Sequence, residues 1–361
     1  MFYYLSGLRD YFFAFNIFRY ITFRAAMAAV TTFLLCLIFG PLIIRKLKEL
    51  KIREIAKRRD CPDLDQFQHA KEGVPTMGGI FIVGSILFSV MLWADLANQY
   101  VLLTLFTCSW LAVLGGTDDY VKLTRQERRG LSKRTKLFWE GLLGLFIGAY
   151  IFLTPTTSTE LSVPFFKDII FTLGMMYIPF VAIIVVGTSN AVNLTDGLDG
   201  LAIGSVLVVS LTLAILSYIT GHVNFSKYLF IPYVAGAGEL AVFCAAMVGA
   251  SLGFLWFNCY PASVFMGDVG SLSLGGTLGI IAVLIKKELL LVLLGGVFVI
   301  EALSVILQVL SFRITGRRIF RMSPYHHHLQ LSGWKESKII IRFWILAIVF
   351  SLLTLATLKI R

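Results

Sequence analysis

The sequence predicts an all-α polytopic membrane protein, a single integral-membrane domain over residues 1–361 with about ten transmembrane helices. Three observations predict it. The chain is 57% hydrophobic and only 15% charged, whereas a soluble domain carries about a quarter charged residues. About ten windows approach the roughly 20 apolar residues that cross about 30 Å of hydrocarbon. Lysine and arginine gather in alternate connections between those windows, as the positive-inside rule requires.

Residues 1–19 lack the pattern of a cleavable signal peptide and read as an interfacial aromatic segment. Spans follow near 22–44, 77–95, 99–116, 137–154, 171–189, 200–219, 239–257, 270–285, 289–311 and 339–358. Loop 45–75 is rich in Lys and Arg, from Arg45 to Lys71. So are loops 117–136 (Lys122 to Lys136) and 312–338 (Arg313 to Lys338). The opposite loops hold few basic residues, among them Lys167 and Lys227. With ten spans the basic loops are cytoplasmic and both termini lie outside. Lys286 and Lys287 go against this bias and are expected to snorkel from span ends. The net charge of +11 then reads as membrane anchoring, and no nucleic-acid partner is expected. The five cysteines are scattered without metal or disulfide spacing.

This topology collects four polar clusters on the cytoplasmic side: GGTDDY (115–120), NAVNLTDGLDGLA (190–202), VFMGDVGS (264–271) and PYHHH (324–328). Asp118 and Asp119 end an apolar span, where a carboxylate opposes the helix dipole. Asp196 and Asp199 are spaced to share a face of a helical turn, although Asp199 also stands where it can cap the next helix. Gly197 and Gly200 allow close backbone approach to a ligand. Asp268 is another candidate cap. Together, five carboxylates on one membrane face repel one another and call for a cation. Hard oxygen ligands without cysteine suit Mg²⁺ or Mn²⁺. Lys71, Lys122 and Lys136 nearby complete the composition of a phosphoryl-transfer site. Three consecutive histidines, His326, His327 and His328, cannot all face one ion, so they read as phosphate binders or proton shuttles rather than a zinc site. Glu301, Ser304 and Gln308 form a polar stripe within the ninth span, expected to pack against another helix. A cation-coupled transporter would place its acids near the midplane and show repeat symmetry. Here the acids cluster at one face and no repeat is evident.

These segments, with KEGVPTMGG (71–79), GGVFVIEALSVILQV (295–309) and RMSPYHHHLQLSGW (321–334), closely resemble the polyprenyl-phosphate N-acetylhexosamine-1-phosphate transferase superfamily over nearly the whole chain. The histidine segment followed by GW points to its muramoyl branch. The resemblance implies a ten-helix, usually dimeric enzyme of the bacterial inner membrane, with periplasmic termini and a cytoplasmic active site. It implies Mg²⁺-dependent transfer of phospho-N-acetylmuramoyl-pentapeptide from its uridine diphosphate carrier to undecaprenyl phosphate, giving lipid I and uridine monophosphate in peptidoglycan biosynthesis. Carried over, Asp268 resembles the Mg²⁺ ligand. Asp118 and Asp119 resemble the pair that handles the lipid phosphate, with Asp118 the base. Asn190 and Asp196 resemble catalytic-centre residues. Gly197, Leu198, Asp199 and Phe265 resemble the uracil pocket, with Lys71 at its rim and Asn193 and Asn258 among the substrate-binding positions. Lys122 and Lys136 are expected to hold the diphosphate. His326 and His327 are expected to act near the sugar-phosphate, and His328 to bind substrate. Gln330 stands where many members of the superfamily have an acidic residue, so no carboxylate acts there.

Overall fold

The computed structural model describes residues 1–50, 73–124, 130–154, 159–163 and 170–359. Among them, nine helices are long and apolar enough to cross a membrane. A tenth, Gly79–Trp93, has 15 residues and is ~22 Å long at the usual rise. We number the α-helices in chain order: α1 Ile21–Glu49, α2 Gly79–Trp93, α3 Gln99–Thr124, α4 Lys133–Leu153, α5 Tyr177–Thr195, α6 Leu201–Thr220, α7 Val223–Leu229, α8 Leu240–Asn258, α9 Gly267–Leu284, α10 Leu290–Leu294, α11 Gly296–Thr315, α12 Tyr325–Leu331 and α13 Glu336–Ala356. The ten apolar helices follow the ten predicted windows in order. The fold is that of an all-α polytopic membrane protein, with one small addition. Strands β1 Glu160–Ser162 and β2 Ile170–Thr172 form an antiparallel pair in the connection before α5.

Helix α9 is the centre of the molecule. Every residue from Asp268 to Leu284 is buried, and α3 and α5 pack along it. Its sequence GDVGSLSLGGTLG is small-residue-rich, which lets neighbouring backbones close in where lipid supplies no hydrophobic drive. Helix α8 packs on α1 and α6, and α4 packs on α5. Helix α11, by contrast, is largely exposed along Leu303, Ile306, Leu307 and Leu310, as a lipid-facing helix should be.

Three boundaries differ from the sequence expectation. Helix α3 continues past Asp118 and Asp119 to Thr124, so these carboxylates lie inside its last two turns rather than at its end. Helix α5 continues to Thr195, taking Asn190 and Asn193 into the helix. The ninth span is broken at Gly295 into α10 and α11. The expectation that Lys286 and Lys287 snorkel is also overturned: both are buried. Lys286 Nζ donates to the Tyr177 hydroxyl at 2.8 Å and lies 4.3 Å from that ring's centre. The same hydroxyl donates to Glu288 Oε1 at 2.5 Å. Protein groups thus pair Lys286 and Glu288 at this break between spans.

The end of the bundle opposite the acidic segments carries a second buried ion pair. Arg24 Nη1 and Nη2 meet Glu239 Oε2 and Oε1 at 2.6 and 2.5 Å, and Nη1 also donates to Trp93 O at 3.2 Å. The amino group of Met1 donates to Met91 O and Leu92 O, and Phe2 and Phe18 pack on Trp93. The aromatic N-terminal segment is thereby tied to the end of α2.

Candidate active site

Two helices bring the acids together. Asp118 and Asp119 come from α3, and Asp268 from the first turn of α9, where the helix dipole favours a carboxylate. One ligand oxygen from each lies within 4.8 Å of the others, and Asp118 is fully buried. Asp119 Oδ2 accepts from Val269 N at 3.2 Å. This close approach explains Gly267, whose φ of +73° and absent side chain are both required: a Cβ there would sit 2.7 Å from Asp119 Oδ2. Asp268 does not act as a cap. Its carboxylate turns to side chains instead.

Two lysines fill the space between the acids. Lys122 lies one turn on from the aspartates along α3. Its Nζ is 2.7 Å from Asp118 Oδ2, 3.4 Å from Asp119 Oδ1 and 3.1 Å from Asp268 Oδ2. Lys136 enters from the first turn of α4, which starts where Ser132 Oγ accepts from Thr135 N at 3.1 Å. Its Nζ is 2.8 Å from Asp118 Oδ2 and also donates to Asp268 Oδ2. Asp118 Oδ1 accepts from Leu131 N at 2.6 Å, holding the start of α4 against α3. Asn193, from the last turns of α5, donates to Asp268 Oδ1 at 2.9 Å and Ser271 Oγ at 2.8 Å. Three carboxylates against two ammonium groups leave one formal negative charge. The donor set, all hard oxygen and convergent, fits a divalent cation of the Mg²⁺ class.

The segment after α5 is a turn, not a helix, so Asp196 and Asp199 do not share a helical face. Asp196 is the C-cap residue of α5. Asp199 does not cap α6 either: its Oδ2 accepts from Ala262 N at 3.0 Å, while its own N–H donates to Glu336 Oε1 at 3.1 Å. Asn258 Oδ1 accepts from Gly200 N at 2.9 Å, and its Nδ2 donates to Val264 O at 2.8 Å. Trp344 Nε1 donates to Gly200 O at 3.1 Å. Leu198 is buried against α13. Residues 75–79 run beside Val264–Met266, with Phe265 N donating to Pro75 O and Gly78 N to Phe265 O, both at 2.8 Å. The half-buried Phe265 thus stands on a loop tied to the 196–200 turn on one side and to residues 75–79 on the other. Lys71 lies outside the described residues.

The histidines sit on the short helix α12. His326 Nδ1 is 3.1 Å from Glu301 Oε2, with both side chains fully buried. His327 Nδ1 lies 2.8 Å from Gln330 Oε1. His328 faces away from this pair: its Nδ1 accepts from Arg321 N at 3.2 Å and its ring stacks on Tyr325. Glu301 and Ser304 of the α11 polar stripe are buried, as expected from sequence, and α11 packs on α5, but the polar partners of Glu301 and Gln308 lie in segment 319–326 rather than on a spanning helix. Glu301 faces His326, and Gln308 Oε1 accepts from Ile319 N and Phe320 N at 3.0 and 2.9 Å.

Sequence reasoning missed Glu140. It is fully buried on α4, one turn after Lys136, and its Oε2 accepts from Asn190 Nδ2 at 2.5 Å. Asn190 also donates to Val186 O at 2.9 Å, so the structure directs it to Glu140 rather than to the three aspartates. A carboxylate one turn inside a span was the available signal. Glu336, at the start of α13, was likewise visible only once α13 packed on the 196–200 turn.

Residues 101–286 match the profile of glycosyl transferase family 4. Over 347 residues the chain is 54% identical to the phospho-N-acetylmuramoyl-pentapeptide-transferase of Pelobacter propionicus, covering 96% of each chain. It is 51% identical over 360 residues, 99% of each chain, to the enzyme of the same name from Thermodesulfovibrio yellowstonii. The chain belongs to the phospho-N-acetylmuramoyl-pentapeptide-transferase family. The glycosyl transferase 4 match holds the three aspartates, Asn193 and the 196–200 turn. The histidine helix α12 lies beyond it but within the 360-residue match, so this transferase family accounts for both parts of the site.

Proposed function

We propose that this enzyme transfers phospho-N-acetylmuramoyl-pentapeptide from its uridine diphosphate carrier to undecaprenyl phosphate, releasing uridine monophosphate and forming lipid I at the cytoplasmic face of the bacterial inner membrane. The observation that carries the reading is the convergence of Asp118, Asp119 and Asp268 with Lys122 and Lys136 at one end of a membrane bundle. Such a site can meet a lipid phosphate and a soluble nucleotide together.

In the proposed reaction an oxygen of undecaprenyl phosphate attacks the sugar-bearing β-phosphorus. The bond from that phosphorus to the bridging oxygen breaks, and uridine monophosphate leaves. Asp268, with Asp119 beside it, would hold Mg²⁺, which when bound offsets diphosphate charge as it shifts toward the leaving group. Lys122 and Lys136 exchange their present carboxylate partners for diphosphate oxygens. Asp118 Oδ2, now between two ammonium groups, is freed as the lysines turn away and takes the proton of the lipid phosphate. Phe265 stacks on the uracil beside the 196–200 turn. A direct displacement suffices, because the lipid phosphate is already a nucleophile and the bundle end positions it.

The test is uridine monophosphate release by purified protein in detergent with undecaprenyl phosphate and Mg²⁺. The muramoyl-pentapeptide nucleotide should support release, and a chelator should abolish it. Release with the N-acetylglucosamine nucleotide alone would reassign the substrate. No release with either, from folded protein, would reject a transferase.

A further inference from the structure

The acidic cluster does not use the one buried carboxylate of α11, in that helix's second turn. Glu301 is fully buried, and among the described residues its ion-pair partner is His326, with Nδ1 at 3.1 Å from Oε2. The His326 backbone N–H also points to Oε2, at 3.5 Å. On the other side of the ring, Nε2 lies against Gly197: a Cβ at that position would come within 2.2 Å of it. The imidazole is therefore wedged between a carboxylate of α11 and the first glycine of the 196–200 turn. One helical turn before Gly197, Asn193 holds Asp268. The contacts of Gln308 with Ile319 and Phe320 pin the same connecting segment to α11 two turns further on.

A carboxylate in this setting is not a packing device. Burying a charge is costly unless it is paired, and an apolar side chain of similar size would fill the space without that cost. A carboxylate on one imidazole nitrogen also has a specific chemical effect. It fixes the ring's orientation and the tautomer with the proton on the contacted nitrogen, leaving the other nitrogen for the substrate. The contact is at ion-pair distance without an aligned hydrogen bond, a looseness that unliganded active sites commonly show.

We propose that Glu301 is the positioning residue for His326, holding Nδ1 protonated so that Nε2 is presented beside Gly197 to the phosphorylated sugar of the nucleotide. The substrate part of this proposal rests on the transferase reading above; the pairing itself does not.

Two measurements on the full chain test it. In the uridine monophosphate release assay, Glu301→Gln should lower kcat about 10- to 100-fold, with KM for the nucleotide changed by less than about threefold. His326→Gln should lose at least as much, and the double variant should be no worse than His326→Gln alone, because both act through one ring. Wild-type activity in Glu301→Gln, or losses that multiply in the double variant, would overturn the proposal. The second measurement needs neither activity nor a folded Glu301 variant. In ¹⁵N-histidine-labelled wild-type protein, with His326 assigned by its loss in His326→Gln, Nδ1 should carry the proton. A bare Nδ1 with the proton on Nε2 would overturn the proposal. An inactive wild type with a protonated Nδ1 would reject the transferase reading while leaving the pairing standing.

Discussion

Asp118 shows how one side chain serves fold and site together. Its Oδ1 accepts from Leu131 N, while its Oδ2 meets both lysines. Asp118→Asn keeps an acceptor for Leu131 and removes the proposed base. Turnover should fall about 10²- to 10⁴-fold, the usual share of a general base, while binding of a uridine nucleotide, followed by calorimetry, should stay unchanged. Collapse of nucleotide affinity instead would make Asp118 a binding residue. At this scale the residue types were legible in sequence, but their partners were not. Asp118, Asp119 and Asp268 were visible as acids at span ends. That Lys122 and Lys136 sit between them, that Asn190 turns to Glu140, and that Glu301 faces His326 depend on which helices become neighbours.

At the scale of elements, apolar windows located the ten long helices well, because lipid rewards a continuous run of about 20 apolar residues. Their ends were less legible. Helix α3 runs on through Asp118 to Thr124, where Lys122, Lys136 and the backbone of Leu131 and Val269 partner its two aspartates. Lys286 likewise has a protein partner in Tyr177, where composition alone indicated snorkelling. The α1–α8 contact shows what such buried charges contribute. Arg24 is 1% exposed and is held by both oxygens of Glu239. Arg24→Met strands that carboxylate and should destabilise the bundle by about 3–5 kcal/mol, read as a fall in the thermal unfolding midpoint. Adding Glu239→Gln should recover part of the loss. Below the unfolding transition, kcat should be unchanged, since the pair lies at the opposite end from the site. A matching fall in kcat would show that the two ends are coupled.

For the whole molecule, the arrangement is one of polarity between two ends. Alternation of ten spans puts the C-terminal ends of α3 and α5 beside the N-terminal end of α9, where the acidic and amide segments meet, and α12 joins them through His326 against Gly197. The central helix α9 connects them: its first turn carries Asp268, and the rest is buried between α3 and α5. The proposed chemistry requires this convergence to be a divalent-cation site. The most direct measurement is Mn²⁺ binding, by electron paramagnetic resonance, to the purified full-length protein with its uridine nucleotide present. It should be compared with Asp268→Asn shown to be folded by an unchanged thermal midpoint. One Mn²⁺ per chain should bind, be displaced by Mg²⁺, and be lost in Asp268→Asn. Equal Mn²⁺ binding by wild type and Asp268→Asn would contradict the proposed chemistry.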